Sequence, residues 1–319
     1  MKPIKTLTVL SLILVAATCS YVSAETRVTY KAAKTSSSYY QMAVQIAEAI
    51  KTGTNGDIII TVEESQGSVQ NVKEVQGRSG NYVFTTPPAL IQAAQAAQGQ
   101  FANDKTEKYQ AARALFPIPS LTMHYVVRSD SGINSFDDLA GKTVLIGKGT
   151  YGAREAASCL KMLGLEDKIE VANVELGNAV PALKNKKIDA FATSGSFPAP
   201  NVVEAAAGIG IRRLPLSDEQ IAKANRSKIE IPAGTYPGVD YPVGTNALPV
   251  IAYATTEMDD NTAYQITKTF WEQKAKMSQL TSWWQGVTPE LLSNVKGKMH
   301  PGALRYYEEN GITVPDTAK

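Results

Sequence analysis

The chain has 319 residues, with 32 Lys and Arg against 30 Asp and Glu for a formal net charge of +2. No basic run of five or more residues occurs, so nothing points to a nucleic-acid partner. Two cysteines and two histidines, without H-E-x-x-H, C-x-x-C or G-x-S-x-G, leave no metal or nucleophile signature.

The first segment, MKPIKTLTVLSLILVAATCSYVSA, has Lys2 and Lys5, an apolar stretch from Leu7 to Ala17 and a small-x-small close at Val22-Ser23-Ala24. It reads as a secretory signal peptide, residues 1–24, cut after Ala24. The apolar run is too short for a membrane span of ~20 residues. Ala16-Ala17-Thr18 before Cys19 fits a lipid-anchor signal poorly. Removal of this segment takes away two lysines and no acids, leaving a formally neutral exported chain with Cys159 as its one cysteine. Cys159 lies at an apolar helical position and reads as a small core residue.

Strands and helices then alternate. Arg27–Ala32 alternates as a strand does, and Ser38-x-x-Gln41 reads as a capping box opening a helix to Lys51. DIIITVEE is a β-branched strand, Ser65 or Ser68 starts a helix to Gly77, and NYVFT is a short strand. Thr86-Pro87 reads as N-cap and first residue of a helix through Ala97. LTMHYVVR, the strand in SFDDLAGKTVLIG, and a helix ended by Gly164 follow. KIEVANVEL, NAVPALKNKK and IDAFATSG give strand, helix, strand; Pro198 opens a helix to Ala207. Near the end come the strand VIAYATT, a long helix from Asn261 and a short helix over Pro301–Asn310. Such alternation predicts parallel α/β sheets covered on both faces. Two α/β sets, divided near Arg128, with a late strand at Val250–Ala254, predict two lobes joined by crossing strands and a ligand cleft between them.

TVLIGKGTYGAREAA carries G-x-G-x-x-G between a strand and a helix, the spacing of a dinucleotide-binding turn, with Glu175 placed for a ribose. Export and the motif's late position count against a nicotinamide cofactor. His124 in an apolar strand and His300 before Pro301-Gly302 read as structural residues. Hydroxyl-rich turns recur after strands: Lys34 to Tyr40, Ser65 to Ser68, Thr85-Thr86-Pro87, Thr150 to Arg154 and Thr193 to Ser196. Any one is explained by N-capping; five of one type point to a shared polar site for an anion at helix N-termini.

These segments resemble the TAXI-type solute-binding proteins of TRAP transporters over nearly the whole mature chain. Tyr39-Tyr40, the run Glu64 to Asn71, Gly147 to Arg154 and FATSGSFPAP are similar to that family's motifs, as are IPAGTYPG from Ile231 and His300-Pro301-Gly302-Ala303. The resemblance implies an α/β, two-lobed type II periplasmic-binding-protein fold with the ligand in the interlobe cleft. Lobe 1 would be residues 25–128 plus 247–319 and lobe 2 residues 129–246. It implies a periplasmic monomer, without catalytic residues, metal or cofactor, that closes on a small organic anion of the glutamate, 2-oxoglutarate or dicarboxylate class and delivers it to TRAP permease membrane subunits. By position the pocket would be lined by Ser36, Ser37, Tyr39, Ser68 and Thr85 from the first lobe, and Thr150, Gly152, Arg154, Gly195 and Pro198 from the second. Gln41 stands where the family has proline, Gly80-Asn81-Tyr82 replaces an aspartate and glycines, and Thr85 replaces a frequent glutamine. Lys148 and Arg154 add positive charge, which favours a more anionic ligand, with Arg154 as its bidentate carboxylate clamp. An exported small-molecule enzyme and a surface protein without a small ligand stay as alternatives.

Overall fold

The computed structural model describes residues 25–147 and 150–319. The expected signal segment, Cys19 and Lys148 lie outside the described residues.

The chain opens with β1 (Thr26–Lys31), α1 (Ser38–Gly53), β2 (Ile58–Glu63), α2 (Ser68–Glu74), β3 (Tyr82–Thr86) and α3 (Pro88–Gln95). A 17-residue strand, β4 (Ala112–Arg128), leads to β5 (Thr143–Leu145), α4 (Tyr151–Met162), β6 (Glu170–Val171), α5 (Ala179–Lys184), β7 (Ala190–Gly195), α6 (Pro200–Ile209) and β8 (Ile211–Arg213). Then come α7 (Asp218–Lys223), β9 (Ser227–Ile231), β10 (Val243–Thr255), α8 (Asp260–Leu280) and α9 (Pro301–Glu309).

The hydrogen-bonded order is β2-β1-β3-β10-β4-β7-β5-β6, with β8 on β4 and β9 on β10. β1 pairs in parallel with β2 and β3, and β5 with β6 and β7, as the alternation predicts. The two connecting strands run against these sets: β10 is antiparallel to β3 and β4 to β7. Because β4 and β10 are long and pair with each other, one end of the pair serves β3 and the other serves β7, β8 and β9. The crossing strands therefore begin earlier than LTMHYVVR and VIAYATT, whose upstream residues carry prolines that mask the strand pattern.

Those prolines sit where the pair changes halves. Val250 faces Ile118 and Leu248 faces Leu121, so Pro119 and Ser120 oppose Pro249 across a register shift. Proline has no N–H to give to a ladder, and a bulge bends the strand. Two carbonyls left over at the bend find partners: Tyr39 Oη donates to Pro119 O (3.0 Å) and Ser196 Oγ to Ser120 O (3.0 Å).

One core runs through both halves, since α1 and residues Ala156, Cys159 and Leu160 of α4 belong to the same buried cluster. The apolar face of α1 is Met42, Ala43, Ile46, Ala49 and Ile50, spaced at helical period, all buried. In the second half, Leu145, Phe191, Leu183, Val202 and Tyr236 share a separate core cluster. Cys159 is buried, as expected, and its thiol is pushed up chiefly by burial.

Several helix starts differ from expectation. The N-cap of α1 is Ser37, whose Oγ accepts from Tyr40 N–H (3.2 Å), so the capping box Ser38-x-x-Gln41 does not form. Thr86 still belongs to β3, and Pro87 caps α3 in its place. Pro200, not Pro198, stands at the first position of α6. At α3 and α6 the residue before a proline, Pro87 or Ala199, is held extended, which shifts the start. KIEVANVEL contributes only the two exposed residues of β6, and β9 goes beyond the expected strands. His300 caps α9, with Nδ1 accepting from Gly302 N–H (3.3 Å).

Candidate functional site

The carboxyl ends of β1, β2 and β3 face those of β5 and β7 across the crossing strands. Between them lies an inner chamber of about 80 Å³, partly open to solvent. Its first wall is Ala32, Ala33 and Lys34 after β1, Gln66, Gly67 and Ser68 entering α2, and Thr85 of β3. Ser37 and Tyr39 at the start of α1 complete it. The second wall is Thr150, Tyr151 and Gly152 entering α4, with Leu176 and Ser194. Leu121 and Val250 of the crossing strands form the floor. An outer chamber of about 510 Å³ shares Lys34, Ser37, Gln66, Thr150, Leu176 and Ser194, and adds Ser36, Gln41, Glu175, Gly195, Asn201 and Glu204.

Three helices thus point their N-termini into one space. Backbone N–H groups there lack intrahelical partners and carry partial positive charge. Thr150 Oγ1 accepts from Ala153 N–H (3.0 Å), and Ser37 caps α1 in the same way. Gly67 caps α2 without a side chain. Buried Asn71 fixes these turns to one another: its Nδ2 donates to Ala32 O (2.7 Å) and Thr85 O (3.0 Å). Lys34 is the cation on the walls among the described residues, and its Nζ is 3.6 Å from Glu64, both side chains 45% exposed. Among the described residues, the inner chamber is lined by no carboxylate, histidine or cysteine.

The glycine turn has a local explanation. Gly147 has φ +78°, a left-handed backbone that glycine adopts freely. Gly152 lies in the first turn of α4, where a β-carbon would fall 2.0 Å from Ser194 Oγ and 2.8 Å from Ser194 Cβ. Its absence lets α4 start against the end of β7. The turn thereby brings a helix N-terminus onto the chamber, the use for which a dinucleotide turn is also built. Glu175 is on the outer chamber wall.

Of the residues expected in the pocket, Ser37, Tyr39, Ser68, Thr85, Thr150 and Gly152 line the inner chamber, and Ser36 and Gly195 line the outer one. Tyr39 contributes its ring, since its hydroxyl is committed to Pro119 O and burial pushes its ionisation well up. Two residues do not join them. Arg154 is exposed, and its Nη1 donates to Gln100 Oε1, on a turn of the first half. Residues Gly152, Ala153, Ala156, Cys159 and Leu160 lie on the buried face of α4, and Arg154 projects from the opposite, exposed face. Nor does it pair with Glu155, whose carboxylate is held by Arg226 through bonds of 2.8 and 3.0 Å. Pro198 lies on a different groove behind the crossing strands, with Trp283, whose Nε1 donates to Pro198 O (3.1 Å). After Gly195 the chain passes from one side of the crossing strands to the other: Ser196 N–H meets Ser38 Oγ at 3.1 Å on the chamber side, and Pro198 meets Trp283 behind.

Sequence reasoning missed the apolar part of the walls. Ala32, Ala33, Leu121, Leu176 and Val250 carry no chemical signal, whereas Tyr151 and Ser194 fall within the hydroxyl-rich turns Thr150 to Arg154 and Thr193 to Ser196. Gln66 and Gly67 fall within the segment Glu64 to Asn71 and were legible there.

His124 is wholly buried and faces the second core, not the chamber. Burial, then the charge of Arg213, holds its imidazole well below its ordinary value. Arg213 is itself 1% exposed and lies over the Tyr236 ring, 5.4 Å from its centroid. Among the described residues, no group of three or more His, Cys, Asp or Glu is placed to hold a metal ion, and no helix is long and apolar enough to cross a membrane.

The periplasmic binding protein BugD has the same fold, with a TM-score of 0.54 at 12% identity, over 91% of this chain and 99% of that one. That fold is the two-lobed type II architecture of periplasmic binding proteins. More distant likenesses include the aliphatic sulphonate binding protein SsuA from Escherichia coli (TM-score 0.46, 15% identity, 92% of this chain and 96% of that one). A putative L-cystine ABC transporter protein from Listeria monocytogenes also matches (TM-score 0.47, 13% identity, 82% and 97%). At the level of sequence, the NMT1-like family matches residues 31–311, nearly the whole described chain, and the protein belongs to that family.

Proposed function

We propose that the protein is a periplasmic solute receptor of the TAXI type, exported by removal of residues 1–24. Residues 25–128 with 247–319 form one lobe and residues 129–246 the other, hinged where Pro119 and Ser120 oppose Pro249. The receptor closes on a small organic anion of the glutamate, 2-oxoglutarate or dicarboxylate class and hands it to the membrane subunits of a TRAP-type permease. The observation that carries this reading is the convergence of three helix N-termini, from both sides of the crossing strands, on one chamber. Unpaired N–H groups stabilise an anion without titratable chemistry. Ser68 and Thr150 give hydroxyls to the same space, the Ser37 hydroxyl being donated to Lys34 O, and Ala32, Ala33, Leu121 and Val250 suit a short carbon chain. Ser36 and Gly195 would contact a ligand long enough to reach the outer chamber.

A panel of glutamate, 2-oxoglutarate, succinate, fumarate and neutral amino acids tests the reading by thermal shift and then by calorimetry. One acid should stabilise the protein by ~2.7 kcal/mol at 100 times its dissociation constant. It should be recovered unchanged, and small-angle scattering should show a smaller particle on saturation. Stabilisation by neutral members only would overturn the anion class, and turnover of the bound acid would overturn the receptor role.

A further inference from the structure

The residue expected to clamp the ligand has another partner, and that partner lies on the opposite half of the molecule. We propose that Arg154 and Gln100 form a closure latch, two positioning residues that hold the N-terminus of α4 over the ligand chamber without touching the ligand. For its ligand-dependent part the inference rests on the receptor reading above.

The chamber's second wall begins with Thr150, Tyr151 and Gly152, the N-cap and first two residues of α4. Arg154 follows within the first turns of the same helix, so whatever holds its side chain also holds those backbone N–H groups in place. Gln100 sits on a short 3-10 turn, Gly99–Phe101, between α3 and β4. That turn is anchored by Phe101, fully buried and packed edge-on against Tyr109. Gln100 therefore offers its amide oxygen from a fixed base. Fifty-four positions separate the two residues in sequence. Among the described residues, no other side-chain-to-side-chain hydrogen bond joins the two halves away from the connecting strands.

Charge explains why a partner is needed. A cation near a helix N-terminus is locally unfavourable, because the helix end already carries partial positive charge. The nearest acid in sequence, Glu155, is engaged by Arg226. An amide oxygen across the cleft is available only when the halves are together, so the bond favours the closed arrangement over an open one. Apparent affinity equals intrinsic affinity multiplied by the fraction of molecules in the competent state, so a latch tunes affinity for every ligand of the site by one factor.

The test uses the full mature chain with Arg154→Met, Gln100→Met and the pair combined. Small-angle scattering on the unliganded proteins should show each single variant expanded relative to the parent, and the double variant expanded no further. Calorimetry with glutamate, 2-oxoglutarate and succinate should show a loss of about three- to tenfold. The loss should be equal for the two single variants, not increased in the double, and the same for each acid that binds. A loss above a hundredfold for Arg154→Met, with Gln100→Met unchanged, would overturn the latch and return Arg154 to the ligand. Additive effects, or unchanged scattering for both singles, would also overturn it. If none of these acids binds, the ligand class proposed above fails, and the scattering of the unliganded variants still decides the latch.

Discussion

Replacing Gly152 by alanine inserts one methyl group at the closest approach between α4 and β7. The new carbon would lie 2.0 Å from Ser194 Oγ, 2.8 Å from Ser194 Cβ and 3.6 Å from Ser194 N. The hydroxyl can rotate away, but the β-carbon is fixed to the strand, so the start of α4 must retreat. Overpacking of this kind costs ~1–3 kcal/mol, and better helix propensity returns less than ~1 kcal/mol of it. The net expectation is a destabilisation of ~1–2 kcal/mol. Urea denaturation of Gly152→Ala, Ser194→Gly and the double variant measures it. In the double variant the nearest remaining Ser194 atom is the backbone nitrogen at 3.6 Å, an ordinary contact. The double should therefore recover at least ~1 kcal/mol relative to the sum of the singles. The same retreat moves the N–H groups of Tyr151 and Gly152 from the chamber, so affinity for the anion should fall with stability. A Gly152→Ala protein as stable as its parent, or a strictly additive double, would refute the packing argument for this glycine.

Other outcomes follow from the same contacts. At Gly195 a β-carbon would lie 2.7 Å from Ser38 Oγ but 3.9 Å from Ser38 Cβ, so Gly195→Ala should turn that hydroxyl off Ser196 N–H at a cost of ~1 kcal/mol in urea denaturation, and Ser38→Ala in the same chain should add little further. Arg226→Ala strips the partner from Glu155, whose side chain is 8% exposed, while Arg226 itself is 29% exposed. The expected loss is ~2 kcal/mol, below the ~3–5 kcal/mol of a fully buried pair because solvent reaches the arginine; chemical denaturation checks it. His124 is held neutral by burial and by Arg213, with its folded value well below the ordinary 6.5. The unfolded chain binds a proton that the folded chain refuses, so stability is full above pH 6.5 and falls below it, by up to ~1.4 kcal/mol per pH unit. Thermal midpoints of His124→Gln between pH 7 and 5 should fall less steeply than those of the parent. His300, also lowered mainly by burial, should leave a residual slope.

Much of this architecture was written in local pattern. The β-branched runs, the 3.6-residue spacing of α1 and the turns rich in Ser, Thr and Gly specify α/β alternation before any tertiary contact exists. The hydroxyl-bearing turns of the chamber were legible for a further reason. In parallel α/β sets helix N-termini gather at the strands' carboxyl ends, so residues scattered from 37 to 152 share one place. Strand ends beside prolines were not legible, because Pro117, Pro119 and Pro249 suppress the β pattern of strands that only their antiparallel pairing with each other makes long. Apolar wall residues such as Leu121 and Val250 look like any core positions. The fate of Arg154 was also beyond local pattern. Its charge and its place near a helix N-terminus were visible, and both suggested an anion, but the direction of a side chain depends on which face of α4 the second half buries. Only the packing of Gly152 and Ala153 inward turned Arg154 outward, and only the pairing of the long strands β4 and β10 set the two halves so that Gln100 lies within its reach. Composition and periodicity act over a few residues. The meeting of residues 100 and 154 is a product of the crossing strands, and that is a property of the folded chain alone.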